Sequence, residues 1–349
     1  MSAAHHPAAW RRHVRAAALL VAALGSSGCG PAYWLGIRLF YDKAPAPPRV
    51  ELAVPYDPAA PADQKRQLDL YLPAGRDFPL VVFVHGGGWA WGDRAQRFGG
   101  ADIYGNIGRF LASQGIGAAV IGYRLVWPMD WQSQVGDVAR AVAWVQAHAA
   151  EKGGRADRVF LMGHSAGAQL AARVAIDPPW LTAEGGDVRG ICGVIAVSGA
   201  GYDLGDIDTY RAGFDPLYFA ERFGGSRLDG TWWRDASVVP FLDGDDPPFL
   251  VVSATGESPG LRRQSALLHA ALGKAGLDSR LVTVQGSSHE RIILELSRAD
   301  KTAGPAVLAF VRDTPCPRAA APPPGMARSS AGAGRAQSRG VSPGGSDVL

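Results

Sequence analysis

Unbroken apolar runs recur along the chain and alternate with segments of helical periodicity. Such runs, in which polar residues do not alternate with apolar ones, are typical of strands in a parallel sheet covered on both faces. The predicted strands span residues 67–71, 80–84, 118–122, 159–162, 193–197, 249–253 and 280–284. The predicted helices span 103–114, 132–149, 165–175, 259–273 and 303–312. This alternation predicts one α/β domain over 49–312 with a doubly wound, mostly parallel sheet.

One long segment, residues 200–247, interrupts the alternation. It is rich in tyrosine, phenylalanine and tryptophan and has neither strand nor helix periodicity. Ligands of doubly wound folds bind at the carboxyl ends of the strands, and this segment begins just after the carboxyl end of the predicted strand 193–197. We therefore predict that it forms a small irregular cap over the ligand site.

The first 29 residues have the order of an export signal. Three arginines precede a short apolar run at 16–24, and small residues then lead to Cys29. This order is typical of a bacterial signal, and small residues before a cysteine resemble a lipoprotein cleavage site. We therefore predict an exported protein of the cell envelope that contacts the membrane only through a lipid on Cys29. A plain secretory signal and an uncleaved anchor are the alternatives.

Two further segments lack the composition of a packed domain. Residues 30–48 end in a proline-rich stretch and are predicted to be a linker. Residues 313–349 are rich in proline, glycine, serine and arginine and have almost no large apolar side chains. Because they cannot bury a core, we predict a disordered tail.

Composition and charge exclude several classes of function. The chain has 349 residues, is 47% hydrophobic, and carries a formal net charge of +3, with the basic excess in its two terminal segments. A basic stripe on the domain is absent, so a nucleic-acid partner is not predicted. The three cysteines, Cys29, Cys192 and Cys316, are few and scattered. We therefore predict neither a disulfide framework nor a metal site. No cofactor is predicted either.

The pentapeptide GHSAG at 163–167 is the first candidate for chemistry. It follows a predicted strand and begins a predicted helix. In this context G-x-S-x-G is typical of a tight turn that exposes a serine at the top of a sheet. Ser165 is therefore the candidate nucleophile. The backbone N–H of Ala166, at the positive end of the helix, is a candidate donor to an oxyanion.

A second glycine motif, HGGGW at 85–89, follows the predicted strand 80–84. Acyl transfer through a tetrahedral intermediate needs N–H donors directed at the developing oxyanion. Consecutive glycines let the backbone present such donors without side-chain interference. Gly87 and Gly88 are therefore predicted to complete the oxyanion hole with Ala166.

A serine hydroxyl needs a base, and the base needs a third group that orients it. His289 lies in the polar loop after the last predicted strand, where a base would reach the nucleophile. The other histidines lie in the export segment, in the two glycine motifs or in predicted helices. Glu257 follows the strand 249–253 at its carboxyl end, whereas Asp278 lies at the opposite end. The order serine, acid, histidine therefore selects Glu257, with a helix-terminal carboxylate as the alternative.

With these residues assembled, the chain resembles the α/β-hydrolase superfamily, on its HGGG-bearing esterase and lipase branch, over about residues 65–312. The stretch 257–265 is similar to the acid segment of kynurenine formamidases and prenylcysteine methylesterase-like enzymes, in which an aspartate stands where Glu257 stands here. Formamidases usually carry an aromatic residue where Gly88 stands. The resemblance implies a serine carboxylesterase that hydrolyses small or aromatic carboxylic esters through an acyl-enzyme.

Two other functions fit the same fold. An arylformamidase would use the same machinery on an N-formyl amide. A non-catalytic lipoprotein would use the fold to bind a ligand or partner, although the complete set of serine, histidine, acid and HGGG loop argues against it.

Overall fold

The structure is a computed structural model that describes residues 37, 40–98, 100–125, 130–224 and 231–316. The predicted export signal, Cys29 and residues 317–349 of the predicted tail lie outside the described residues.

Within these residues there are ten strands, and eight of them form one mixed sheet. In chain order the strands are β1 (Arg49–Pro55), β2 (Gln67–Leu72), β3 (Phe78–Val84), β4 (Arg97–Phe98), β5 (Ala101–Asp102), β6 (Gly117–Ile121), β7 (Gly154–His164), β8 (Ile191–Val197), β9 (Phe249–Ala254) and β10 (Ser279–Val284). The sheet has the order β1-β2-β6-β3-β7-β8-β9-β10, and β4 and β5 form a separate hairpin. The strands from β6 to β10 along this order pair in parallel, and β2 pairs antiparallel with both of its neighbours. The predicted doubly wound, mostly parallel sheet is confirmed.

Helices cover both faces of the sheet. They are α1 (Ile103–Ser113), α2 (Trp131–Lys152), α3 (Ala166–Ile176), α4 (Pro178–Ala183), α5 (Ile207–Arg211), α6 (Pro216–Phe219), α7 (Trp232–Ala236), α8 (Pro259–Lys274), α9 (Arg291–Glu295) and α10 (Ala303–Asp313). Val82 packs in the core with α2, α3 and α8, whereas its neighbours Val81 and Phe83 pack with α1 and α10. Since both faces of β3 are covered, its sequence is apolar at nearly every position.

The edge strand β1 was not predicted as a strand. Its Val50 and Leu52 are 43% and 60% exposed. The register shifts between Glu51 and Val54, where Ala53 has a φ of 56°. Only Val54 of its apolar side chains packs partly against the core, so the strand lacks the continuous apolar pattern of the central strands.

The cap predicted at 200–247 contains the short helices α5 to α7, so it is more helical than predicted. It packs on the HGGGW loop through a cluster of aromatic rings. The ring of Trp89 stands 4.7 Å from that of Phe223, and Phe219 stands 5.3 Å from Phe214. The cap is therefore fixed to the loop that follows β3, at the carboxyl edge of the sheet.

Part of the predicted linker packs against the domain. Ile37 and Ala44 are buried, and the Ala44 N–H donates to Asn106 Oδ1 at 2.8 Å. The packed region therefore begins before residue 49. Across the residues that the structure describes, no helix combines the length and the hydropathy needed to cross a bilayer.

The sequence predicted no disulfide framework, and it did not reveal the one disulfide that the structure contains among the described residues. Cys192 in β8 is bonded to Cys316, three residues after α10, with the two Cα atoms 4.5 Å apart. The two cysteines are far apart in sequence, but α10 returns the chain to the sheet, where the ring of Phe310 fills the space beside Gly193. The start of the predicted tail, residues 313–316, is therefore attached to the domain.

Loss of this disulfide is expected to reduce the free energy of unfolding by about 2–5 kcal/mol, because the bond restricts the unfolded chain across a long loop. The measurement is guanidinium unfolding of the wild type with and without reductant. Cys316→Ala is the control, and reductant should leave its midpoint unchanged. An unchanged midpoint of the reduced wild type would contradict the prediction.

Candidate active site

Ser165 stands at a strained turn between β7 and α3. Its φ of 55° and ψ of −123° are rare for a residue with a side chain. The turn is possible because the glycines on either side leave room for it. A Cβ at Gly163 would overlap the carbonyl oxygen of Gly167, and a Cβ at Gly167 would overlap that of Val84. The structure thus places Ser165 at the carboxyl edge of the sheet, with α3 beginning at the next residue.

The HGGG loop passes beside this turn. A Cβ at Gly86 would lie 3.1 Å from the Cβ of Ser165. The N–H groups of Gly87, Gly88 and Ala166 donate to no other described residue. These three groups are therefore available to a ligand beside Ser165.

His85 fixes the beginning of the loop. Its imidazole is buried, stacks on the Tyr123 ring at 4.3 Å, and places Nδ1 2.7 Å from the carbonyl oxygen of Gly86. A carbonyl oxygen only accepts hydrogen bonds, so Nδ1 carries the proton. Burial lowers the pKa of His85 to about 4, so the ring is neutral near pH 7.

The cap holds the other end of the loop. Arg222 Nε donates to the Gly88 carbonyl oxygen at 3.0 Å, and the Arg222 guanidinium lies 3.4 Å from the centre of the Tyr218 ring. A Cβ at Gly88 would overlap the Tyr218 hydroxyl. The space that a side chain at position 88 would need is therefore filled by a tyrosine from the cap.

A cavity of about 360 Å³ opens in front of Ser165. Its walls are mainly apolar and aromatic, and they come from the HGGG loop, the cap and the start of α8. The lining residues are Gly88, Trp89, Ser165, Ala200, Gly213, Phe214, Asp215, Tyr218, Phe219, Ser258 and Leu261. The cavity has the size and apolar character of a site for a small organic ligand.

The loops that carry Glu257 and His289 are joined by their backbones. They follow the neighbouring parallel strands β9 and β10. The Gly256 N–H donates to the Ser287 carbonyl oxygen at 2.9 Å, and the Gly286 N–H donates to Thr255 Oγ1 at 2.9 Å. The structure therefore brings the predicted acid and base together at the same edge of the sheet.

A third residue, Ser198, lies between the acid and the base. Its Oγ is hydrogen-bonded to Glu257 Oε1 and lies 2.8 Å from His289 Nδ1. Among the described residues, Glu257 makes no direct hydrogen bond to His289. Sequence reasoning missed Ser198. The signal was its position directly after β8, between the strands that lead to the nucleophile and to the acid.

Burial shifts the pKa values of both titratable partners. Glu257 is 5% exposed, and burial raises the pKa of its carboxyl, while the hydrogen bond from Ser198 lowers it. Burial lowers the pKa of His289, and the nearby Glu290 charge opposes this shift. The imidazole of His289 is therefore neutral near pH 7, as a base must be.

His164, the residue before the candidate nucleophile, supports the base loop. Its Nε2 lies 3.0 Å from the His289 carbonyl oxygen, and the two rings are 4.7 Å apart. Burial lowers the pKa of His164 well below its usual value, so this second imidazole is neutral too. Ser165 and His289 make no hydrogen bond to each other in the described part of the chain. Such contacts are often long in apo enzymes and shorten when substrate binds.

Parts of this chain are similar in sequence to known proteins. The BD-FAE family model matches residues 68–185. Kynurenine formamidase of Danio rerio is 30% identical over 246 residues, which cover 70% of this chain and 75% of the formamidase. Esterase LipC of Mycobacterium tuberculosis is 32% identical over 205 residues, which cover 56% of this chain. This chain spans about half of LipC (48%) and about a quarter of the plant isoprenylcysteine methylesterases that it also matches.

Solved structures show the same fold. Esterase B of Lactobacillus rhamnosis superposes with a TM-score of 0.66 at 23% sequence identity, over 84% of this chain and 94% of that esterase. At this identity the likeness shows the fold alone.

Proposed function

Since this chain belongs to the α/β-hydrolase esterases, we propose that it is a serine carboxylesterase that cleaves small or aromatic carboxylic esters through an acyl-enzyme. One observation carries the proposal. Ser165 stands at a strained turn beside three unused N–H groups, on the same sheet edge as a half-buried histidine, His289, and a buried carboxylate, Glu257. This combination supplies a nucleophile, an oxyanion site and a base.

In the proposed reaction Ser165 Oγ attacks the ester carbonyl carbon while His289 takes its proton. The carbonyl oxygen becomes an oxyanion, which accepts hydrogen bonds from the N–H groups of Gly87, Gly88 and Ala166. His289 then returns the proton to the leaving alcohol oxygen as the bond to the carbonyl carbon breaks. Water, activated by His289, hydrolyses the acyl-enzyme, so the cycle needs no cofactor. Glu257 stabilises the imidazolium that forms in each half-reaction.

The cavity supports a small or aromatic substrate part. Four aromatic side chains, those of Trp89, Phe214, Tyr218 and Phe219, line it beside Ser165. A volume of about 360 Å³ lies near the lower end of the range for small-molecule sites. Apolar walls favour a neutral ester over a strongly charged one.

An arylformamidase is the second candidate, and the zebrafish relative favours it. The site differs from the usual formamidase pattern at Gly88, where an aromatic side chain would have to displace Tyr218. We favour the ester because the site at Gly88 departs from the formamidase motif.

Export to the cell envelope is part of the proposal. The disulfide between Cys192 and Cys316 supports it, because disulfides persist mainly in oxidising compartments such as the bacterial periplasm. The amino-terminal sequence that ends at Cys29 supports it as well.

The test compares covalent labelling with turnover. Purified protein is expected to react with a fluorophosphonate probe and to hydrolyse p-nitrophenyl esters, with a higher kcat/KM on short acyl and aromatic esters than on N-formylkynurenine. A higher kcat/KM on the formamide would replace the proposal with the second candidate. Absence of both labelling and turnover would indicate a binding protein that uses the same fold.

A further inference from the structure

We propose that Ser198 is a positioning residue that links Glu257 to His289, so that the acid acts on the base through a serine hydroxyl. This inference rests on the proposed function, because it assigns a role within that reaction. It extends the predicted triad by one member, which stands after β8 between the nucleophile turn and the acid loop.

The chemistry of the three groups sets the direction of the hydrogen bonds. An ionised carboxylate only accepts, so the single hydroxyl proton of Ser198 is donated to Glu257 Oε1. The oxygen of Ser198 then accepts from His289 Nδ1, 2.8 Å away. With the proton on Nδ1, the other ring nitrogen of His289 keeps its lone pair free for the proton of Ser165. The serine thereby selects the tautomer that the proposed reaction needs.

The position of the Ser198 hydroxyl is set by the backbone. Ser198 is fully buried and has a φ of 51°, a conformation that costs energy for a residue with a side chain. Its N–H donates to the Val252 carbonyl oxygen at 2.6 Å, which ties it to β9 just before the acid loop. The neighbouring Gly199 leaves no room for a Cβ, because the Tyr202 hydroxyl occupies that space. Strain that the surroundings maintain at such a place is typical of functional sites.

The surroundings of Glu257 make the serine proton important. Glu257 Oε2 has no hydrogen-bond partner among the described residues, and the same holds for the buried Tyr202 hydroxyl. Burial raises the pKa of Tyr202, and the Glu257 charge raises it further. Burying a carboxylate that has few hydrogen-bond donors costs free energy. The hydrogen bond from Ser198 therefore stabilises the charge of Glu257 and connects Glu257 to His289.

The first experiment removes the hydroxyl in two ways. Ser198→Ala keeps the strained φ, whereas Ser198→Gly removes the hydroxyl and relieves the strain, so that at least one variant folds. Both variants are expected to lose about 10- to 100-fold in kcat with KM unchanged, as for a lost hydrogen bond to a charged group. The acidic limb of the pH profile of kcat/KM should move to lower pH in both variants, because the His289 imidazolium is less stabilised. A purely structural role of Ser198 would lower the melting temperature without moving this limb.

The control is Ser253→Ala, which removes a buried serine hydroxyl on β9 that contacts Thr283 and no member of the site. It is expected to keep wild-type kcat. If Ser198→Ala and Ser198→Gly both keep wild-type kcat, or if the acidic limb stays in place, the inference is wrong.

A double-mutant cycle with Glu257→Gln tests the order of the three groups. If the acid acts through Ser198, Glu257→Gln should cost much less in the Ser198→Ala background than in the wild type. Equal costs in both backgrounds would show a direct action of Glu257 and would overturn the inference. Ser165→Ala distinguishes a failure of the proposed function from a failure of the role assigned to Ser198. If it retains esterase activity, the proposed function fails. If it is inactive while the Ser198 variants are unaffected, only the role of Ser198 fails.

Discussion

Replacing Ser165 with alanine is expected to lower kcat for ester hydrolysis by about 10⁴- to 10⁶-fold. The substitution removes the atom that forms the acyl-enzyme, and no other described residue offers a hydroxyl at this turn. Alanine has the same Cβ as serine, so the strain at a φ of 55° is unchanged and the melting temperature should stay near that of the wild type. The residual rate would come from the oxyanion donors and from substrate binding.

The measurement is kcat on a p-nitrophenyl ester together with fluorophosphonate labelling, which should be abolished. Ser113→Ala is the matched control. Its hydroxyl donates only to the Phe110 carbonyl oxygen at the end of α1, at the opposite edge of the sheet from the cavity. If Ser165→Ala hydrolysed esters at the wild-type rate, Ser165 would not be the nucleophile.

Replacing His289 with alanine is expected to lower kcat by a similar factor, because members of such a unit act together. The pH dependence of the wild type gives a second readout. The base works when neutral, and its neutral fraction falls as the pH falls through its pKa. Burial lowers this pKa, so the acidic limb of kcat/KM should lie below pH 6.5, the ordinary value for histidine.

The control for this prediction is His148→Gln. The His148 imidazole stacks on Trp144 in the last turns of α2, before β7 begins, and should contribute nothing to the rate. Wild-type turnover by His289→Ala would show that another group serves as the base, and an acidic limb centred above pH 6.5 would contradict the lowered pKa of His289.

The centre of the fold could be predicted from the sequence because burial on both faces leaves a clear mark. The seven predicted strands correspond to β2, β3 and β6 to β10, with most ends within two residues. β7 begins five residues earlier than predicted, since its first part, Gly154–Arg158, is polar. The strand β1 and the hairpin of β4 and β5 are held mainly by backbone pairing rather than by burial, so their sequences lack a continuous apolar pattern.

The candidate site was predictable to the extent that each residue follows a strand. Ser165, Glu257 and His289 were assigned from their positions after the strands that became β7, β9 and β10, and the structure brings the acid and base into one network. Ser198 was missed because serines are common at strand ends, and its role is evident only from its contacts with Glu257 and His289 in the structure. The disulfide was missed because sequence spacing does not report that α10 returns to the sheet.

The cap contact with the HGGG loop has a consequence for how this protein could change its preferences. Tyr218 lines the cavity and contacts Gly88, and Arg222 from the same segment holds the Gly88 carbonyl oxygen. A mutation that reshapes the cavity wall at Tyr218 therefore also disturbs the peptide groups proposed to stabilise the oxyanion. In directed evolution toward bulkier substrates, selectivity and turnover would be coupled through this segment. Leu261 lines the cavity from α8 rather than from this segment, so variants at Leu261 offer a route that leaves the loop untouched.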